Sequence, residues 1–501
     1  MNRIHPARLT LLSSLLLASL LLGCGDDSNN NDTNTDNNSN DTTIGDGTSN
    51  NPNDPPPTPS TGEPAPSGNF VATPFTPLRT INVNNVNSLN NALSNAIPGD
   101  DIVLEDGTYT ATNSGADPFV EHNRFAGAFY PRTSGTVTNP IRIRAQNAGE
   151  AHLTIAENPG NDGPILSIGN KEYIIISDIV IDAEQSAIRQ DTGFLAITGS
   201  NHIYIENVII NGTAPAEPFV NNHAAVYLQN VTESRLANNL IQDVSNSSGS
   251  HRGEGILMYG VNRSVFEFNS SLNIAGQGIY LKGDREGFNG ENNFGNTIRY
   301  NYAMNCAAGI QVTGNGQYTT SPRTLIYQNL SDNCERGIYI HGWTSYTDTF
   351  NNTAVNNNAA DGNEYTGGIV IAGVVTGENH NNRIWGNLVY GVTAQFPAWE
   401  RCLDYWTANT NYVSDHNLCS TTLRQKQNDT EYTSLAAAKA EGYEINTQET
   451  DDPFVNYTDG NYRLHDVNYT HGAFVPDNAG IYNNPVVPGA YITGTEQIGR
   501  L

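Results

Sequence analysis

The chain has 501 residues, 51 of them acidic and 24 basic, for a formal net charge of −27. That balance argues against nucleic acid and anionic membrane surfaces as general partners, and an anionic ligand would need a local patch where the acidic excess lapses. The length allows one large domain or two ordinary ones.

Arg3 and Arg8 precede the apolar run LLSSLLLASLLLG, so residues 1–23 have the length and flanks of a signal peptide rather than of a membrane span. The run closes on Leu21–Cys24, LLGC, which resembles a bacterial lipobox. The resemblance implies a lipidated Cys24 at the start of the mature chain. Gly25 after it implies the outer membrane, with the lipid as the only membrane contact. No later segment offers the ~18 apolar residues of a membrane helix. Residues 24–69 read as a tether. Between positions 25 and 68 there are eight acids, no base and almost nothing apolar, which is too little to offset the entropy of ordering.

A folded domain is expected over residues 70–501, with a C-terminal capping segment from about 430. In NSLNNALSNAIPGD (87–100), Leu89, Ala92, Leu93 and Ala96 share one helical face, ahead of Pro98-Gly99. This predicts a short helix that caps the N-terminal end of the domain. The first strands are expected in DDIVLEDGTYT (100–110). A frame of Gly or Ala, an apolar residue, any residue and another apolar residue then recurs at Ala225, Gly255, Gly278, Gly309, Gly337 and Gly368, spaced 23–31 residues apart. A second frame sets an asparagine beside a short apolar strand at Asn207, Asn239, Asn269, Asn301, Asn329, Asn352, Asn387 and Asn417. Short strands with period 2 inside and a longer period between them describe a solenoid whose successive coils pair in parallel. Asparagine suits such turns because it tolerates left-handed backbone angles and its amide can bond from coil to coil. No 3.6-residue period spans the units, which excludes helical repeats. The long antiparallel strands of a propeller are also missing.

Two stretches, IPGDDIVLEDGTYT (97–110) and SGTVTNPIRIRAQNAGEAHLTI (134–155), resemble the opening coils of right-handed parallel β-helix proteins. They are most similar to polysaccharide lyases of the alginate lyase and chondroitinase B type. DPFVNYTDGNYRL (452–464) resembles the closing segment of bacterial β-helix proteins. The resemblance implies an all-β, right-handed parallel β-helix from about residue 75 to 500. Cys306 and Cys334 both stand in the frame N-C-x-x-G-I, so they occupy one slot in adjacent coils and are a candidate disulfide. Cys402 and Cys419 are the other candidate pair, in keeping with an oxidising compartment.

With the apolar residues of the glycine frame pointing inward, their neighbours point outward. The outward positions are Tyr227 and Gln229, Leu257 and Tyr259, Tyr280 and Lys282, Gln311 and Thr313, Tyr339 and His341, then Val370 and Ala372. Residues 250–345 hold seven bases and seven acids, the neutral stretch an anionic polymer would tolerate. The chemistry that fits is β-elimination on a uronate-containing polysaccharide. A cation or metal neutralises the carboxylate, a base removes the neighbouring proton, and an acid protonates the leaving oxygen. Lys282 is the candidate base; a lysine among cationic neighbours would have a lowered pKa, as a base requires. Arg252 and Arg285 are candidate neutralisers, with Tyr280, Tyr259 or His341 as proton donor. Tyr339, Trp343, Tyr227, Arg336 and Gln311 are candidate contacts to the sugar. The lyases resembled here carry E-x-E a few residues ahead of the catalytic lysine. The matching coil, HRGEGILMYG, has Glu254 alone and no lysine, so a calcium requirement stays open; Asp361 and Glu364 are the other carboxylates weighed for Ca²⁺. The alternative reading is a non-catalytic β-helix lipoprotein that binds glycan or serves as a surface or adhesion module; on either reading a monomer is expected.

Overall fold

The computed structural model describes residues 75–112, 125–156, 163–183, 192–212, 223–245, 253–283, 292–314, 323–359, 367–372, 379–394, 400–406, 409–410, 412–420, 424–427, 430–456, 461–464, 490 and 498–499. All of them fall in the second of two units, Ser60–Leu501. The predicted signal peptide, Cys24 and the tether lie outside the described residues, as do Arg252, Arg285, Asp361 and Glu364.

Three parallel sheets run the length of the unit. Sheet A has twelve strands, from Arg79–Val83 to Val413–Asp415. Sheet B has twelve, from Gly107–Ala111 to Gln448–Thr450. Sheet C has eleven, from Leu166–Gly169 to Thr430–Tyr432. Each coil gives one strand to each sheet, so every strand pairs with its equivalents one coil before and after. In sheet C the inward residues stack as Leu195, Val226, Ile256, Ile279, Ile310, Ile338, Ile369 and Leu403. All belong to one continuous core, where fully burying each such side chain stabilises by roughly 2 kcal/mol. The architecture is an all-β parallel β-helix. Among the described residues, antiparallel pairing is confined to Arg424–Gln427 with Thr430–Tyr432 and to Phe454–Asn456 with Asn461–Leu464.

The glycine frame has a packing cause. A Cβ on Gly278 would come within 2.9 Å of Ala303 Cβ, while one on Gly337 would overlap Ala354 Cβ and one on Gly368 would overlap Val389 Cγ1. Sheets B and C approach too closely there for a side chain.

The asparagine frame resolves into two positions. Asn239, Asn269, Asn301, Asn329, Asn352, Asn387 and Asn417 form a buried ladder, each amide donating to the next Oδ1 at 2.8–3.1 Å. The left-handed residue is the one before: Asn238, Phe268, Tyr300, Gln328, Asn351, Gly386 and His416 all have φ of 51–61°. Asn207, which the sequence frame puts in the ladder, takes this turn position instead, and Val208 holds the ladder slot and donates its N–H to Asn239 Oδ1 at 2.9 Å. The left-handed residue keeps its own N–H paired to the next coil, as Tyr300 does to the Gln328 carbonyl at 3.0 Å. Backbone pairing at the corner, rather than asparagine chemistry, therefore fixes that conformation.

Helix α1 (Val86–Ser94) starts on a capping box between Asn85 and Ser88 and buries Leu89, Ala92 and Leu93. Helix α2 (Leu435–Ala440) starts at Ser434. Among the described residues no helix is long and apolar enough to cross a membrane. Cys306 is bonded to Cys334 and Cys402 to Cys419.

Candidate functional site

The outward face of sheet C carries two columns of different character. One is Tyr227, Leu257, Tyr280, Gln311, Tyr339, Val370 and Asp404, and every member is buried. The other continues the same register through Tyr259, Lys282, Thr313 and His341, which are all partly exposed. The strands bear side chains alternately in and out, and neighbouring strands lie about 4.8 Å apart, so Lys282 and His341 stand roughly 10 Å apart along the axis with Thr313 between them.

Lys282 is held between two rings. Its Nζ lies 5.7 Å from the centroid of Tyr259 and 5.7 Å from that of Tyr280, within reach of cation–π attraction. The other lysines are placed otherwise. Lys171 is buried and donates to the Gly169 carbonyl at 2.8 Å. Lys426 is buried over the Trp406 ring. Lys439 sits in the last turn of α2.

Several predicted sugar contacts are enclosed instead of presented. Tyr227 is only 2% exposed, with Phe125 at 5.1 Å and Tyr259 at 5.6 Å between ring centroids. Arg336 is buried, lies over Tyr339 at 5.0 Å and reaches Glu335 at 3.4 Å. Tyr339 is buried beside the His341 ring at 5.1 Å. Gln311 is buried within hydrogen bonds to Gln277 and Thr313. Tyr280 is 9% exposed, and burial pushes its hydroxyl pKa well up while Thr313 and Gln311 bond to it. It is therefore a neutral hydroxyl beneath the surface, not an exposed proton donor. These corrections share one cause: alternation gives the side of the sheet, but the depth of a side chain depends on its neighbours in adjacent coils. Tyr259, Lys282 and His341 remain at the surface. Trp343 comes in the next turn, partly exposed, with φ of 58°. Arg252 and Arg285 lie outside the described residues, so their approach to Lys282 stays an expectation.

The expected patch of balanced charge also splits. Arg263 pairs with Glu233, Arg299 with Glu267 and Arg323 with Asp348, all on the sheet A side of the coil. Their charge is already matched away from Lys282.

Sequence reasoning missed two groupings. Beneath the Lys282 column, Glu254 accepts the Gln277 backbone N–H, and Gln277 and Gln311 meet at 2.7 Å with Thr313 beyond at 3.1 Å. The diagonal pair Gln277 and Gln311, in adjacent coils, was the available signal. Further along, Arg401, Asp404, Lys426 and Trp406 cluster on the same face, with Glu431 on Arg401. Burial pushes the Asp404 carboxyl up to about 6, against the pull of Arg401 and Lys426. RCLDYW (401–406) lacks the glycine frame, so periodicity passed over it. Among the described residues no three His, Cys, Asp or Glu side chains gather as a metal site.

A family model described as a right handed beta helix region matches residues 165–359. Comparison with curated protein sequences finds no match. Among solved structures, the PL6 family alginate lyase AlyGC aligns at 15% identity and a TM-score of 0.40, over 84% of this chain and 59% of that one. The chain thus spans about three fifths of AlyGC. The PL6 family lyase Pedsa3628 of Pseudopedobacter saltans aligns at 12% identity and 0.38, over 84% and 99%. A hyperthermoactive exopolygalacturonase from Thermotoga maritima aligns at 10% and 0.40, over 71% and 93%. At these identities the likeness concerns the fold.

Proposed function

We propose that the chain is a surface-anchored polysaccharide lyase that cleaves a uronate-containing polymer by β-elimination. The observation that carries this reading is the partly exposed column of Tyr259, Lys282, Thr313 and His341 on the outer face of sheet C. In the reaction, the polymer lies along the column and Lys282 takes the proton at C5 of the uronate. The C5–H electrons form the C4–C5 double bond as the C4–O bond breaks. The leaving oxygen takes a proton from His341 or Tyr259. A carboxylate neutraliser is required to stabilise the developing charge, and Arg252 and Arg285 are the candidates, each within three residues of a sheet C strand.

The competing reading is a non-catalytic glycan-binding or adhesion module. The enclosure of Tyr227, Tyr280, Tyr339, Gln311 and Arg336 favours it, because it narrows the available wall. The test incubates the domain with alginate, pectate and chondroitin, with and without Ca²⁺, and follows the ultraviolet absorbance of the unsaturated product. Signal with wild type and none with Lys282→Ala is expected. Signal that survives the substitution rejects the assigned base, and silence on every polymer rejects the lyase.

We also infer that residues 1–23 direct export, that Cys24 is lipidated and holds a monomer at the outer membrane through the 24–69 tether, and that α1 closes the N-terminal end of the stack. Cys24→Ala should move the protein from the membrane to the soluble fraction; unchanged fractionation rejects the anchor.

A further inference from the structure

The outer face of sheet B carries an apolar row that water does not reach. In the strand register Leu330, Thr353, Leu388 and Leu418 follow one another coil by coil, with Asp332, Val355 and Tyr390 beside them. Leu330, Val355, Leu388 and Leu418 are buried although they point away from the core. Their cover is the hairpin of Phe454–Asn456 with Asn461–Leu464. Phe454 and Tyr462 pack on the row, while Val455 is 54% exposed and Arg463 is exposed, so alternation gives the hairpin one apolar face and one wet face.

Polar groups in the row are matched from the same end of the chain. Tyr462 donates its hydroxyl to Asp332 Oδ2 at 2.8 Å, and Asn356 donates its Nδ2 to Asp332 Oδ1 at 2.8 Å and to the Tyr462 hydroxyl at 3.2 Å. Thr353 Oγ1 accepts the Ala490 N–H at 2.8 Å, and Ala490 is fully buried. Gly499 donates its N–H to the Tyr300 carbonyl at 2.7 Å, where a Cβ would come within 2.7 Å of Tyr302 Cβ. The C-terminal residues thus meet sheet B at several points between Tyr302 and Leu418, with apolar groups on apolar groups and donors on acceptors.

The hairpin is attached differently from a coil of the solenoid. Strands of sheet B are tied into the stack by backbone bonds, as Leu388 is to the Asn352 carbonyl and Leu418 to the Asn387 carbonyl, each at 2.8 Å. Among the described residues, the hairpin strands pair with each other and with no strand of sheets A, B or C. Lifting the hairpin therefore breaks no ladder bond of the sheet. It separates the Phe454 and Tyr462 rings from the row and breaks the bond to Asp332, and a hydrogen bond to a carboxylate is about twice as strong as a neutral one. Segments held outside the backbone ladder open at lower free energy than the core they cover. We propose that the hairpin is a strap that opens while the solenoid stays folded, and that the Tyr462–Asp332 bond is the latch that sets how often it opens. Opening uncovers Leu330, Val355, Leu388 and Leu418 together, a contiguous apolar strip of the kind that proteins bury or use for contact.

Hydrogen exchange on the full chain, read by mass spectrometry, compares peptides covering 454–464 with peptides covering Leu388–Tyr390. Tyr462→Phe keeps the ring and removes the hydroxyl. It should speed exchange of the hairpin amides by roughly tenfold to a hundredfold, the loss of one hydrogen bond to a charged group, and leave Leu388–Tyr390 unchanged. Thiol labelling reports the same opening from below. Val355 is buried in the cluster that the hairpin covers, so the thiol introduced by Val355→Cys should label faster by the same factor when Tyr462→Phe is added. The thiol introduced by Val389→Cys, on the core side of the neighbouring strand, should label at an unchanged rate. Equal acceleration of the hairpin and sheet B amides would show that the hairpin opens only with the solenoid and overturn the proposal. Hairpin exchange that Tyr462→Phe leaves unchanged rejects the latch. Faster exchange without faster labelling of the Val355→Cys protein rejects the strap, because the hairpin would then fray in place.

Discussion

Glu444 closes the asparagine ladder, and its burial should make stability fall as pH rises. The ladder needs an acceptor after its last rung, and Asn417 donates its Nδ2 to Glu444 Oε2 at 3.2 Å, while Thr447 donates its hydroxyl to the same oxygen at 2.5 Å. Glu444 is buried, and the titratable groups acting on it most strongly include Asp415 but no cation. Burial pushes its carboxyl up to about 7, against hydrogen bonds from Ser414, Thr447 and Asn417 that pull it down. Because the folded state holds this proton after the unfolded chain has released it, stability declines between pH 4.5 and about 7 and levels off above. The gap from 4.5 to about 7 corresponds to about 3 kcal/mol at about 1.36 kcal/mol per pH unit. Glu444→Gln keeps an acceptor oxygen but cannot ionise. Denaturant unfolding of both proteins at pH 5 and pH 8 should show the variant gaining up to about 3 kcal/mol on wild type between the two conditions. Taking the difference between the proteins removes the contribution of Asp404, which titrates in the same sense. A difference that stays constant from pH 5 to pH 8 would show that Glu444 is ionised in the fold and refute the reasoning.

Other consequences can be measured directly. Asn301→Ala removes two hydrogen bonds accepted from Asn269 and the two N–H groups that its amide shares among Phe266, Arg299 and Asn329; at about 1 kcal/mol for each of these, thermal unfolding should report a loss of about 4 kcal/mol. Gly368→Ala forces a methyl against Val389 and should cost about 1–3 kcal/mol in denaturant unfolding, while leaving far-ultraviolet circular dichroism unchanged. Replacing Cys306 and Cys334 by serine frees a 28-residue separation in the unfolded chain and should lower stability by about 3–4 kcal/mol in denaturant unfolding.

The features legible in the sequence are those that every coil repeats. Period 2 within strands and the spacing of Gly255, Gly278, Gly309, Gly337 and Gly368 encode inter-sheet distance, which is a property of each coil, so the solenoid was legible. The slot shared by Cys306 and Cys334 comes from the same register. The asparagine frame was legible to within one residue: Asn207 looks like a rung, but the rung position is defined by bonds to the next coil, which a single segment does not contain. Depth was not legible. Tyr280 and Lys282 both alternate outward, yet Tyr280 is buried in a cluster with Tyr227, Leu257 and Tyr259 while Lys282 is partly exposed. Nor was the grouping of Glu254, Gln277 and Gln311, which runs diagonally across three coils and has no period.

Among the described residues, sheet C is the outer face that combines register with partial exposure. Sheet B has an apolar outer row, Leu330, Val355, Leu388 and Leu418, and it is covered by Phe454 and Tyr462 of the C-terminal hairpin. Tyr462 anchors that cover by donating its hydroxyl to Asp332 at 2.8 Å. Sheet A presents cations and rings, but its arginines are spent on Glu206, Glu267 and Asp348, and Tyr327, Phe350 and Trp385 are stacked on one another at 4.9 and 4.6 Å. A polymer laid there would have to break ion pairs or part a buried stack before gaining a contact. On sheet C the column from Tyr259 to His341 is polar, partly exposed and repeated at the coil spacing of about 4.8 Å. That contrast among the described residues, more than the identity of any single residue, is why sheet C is the face proposed to bind.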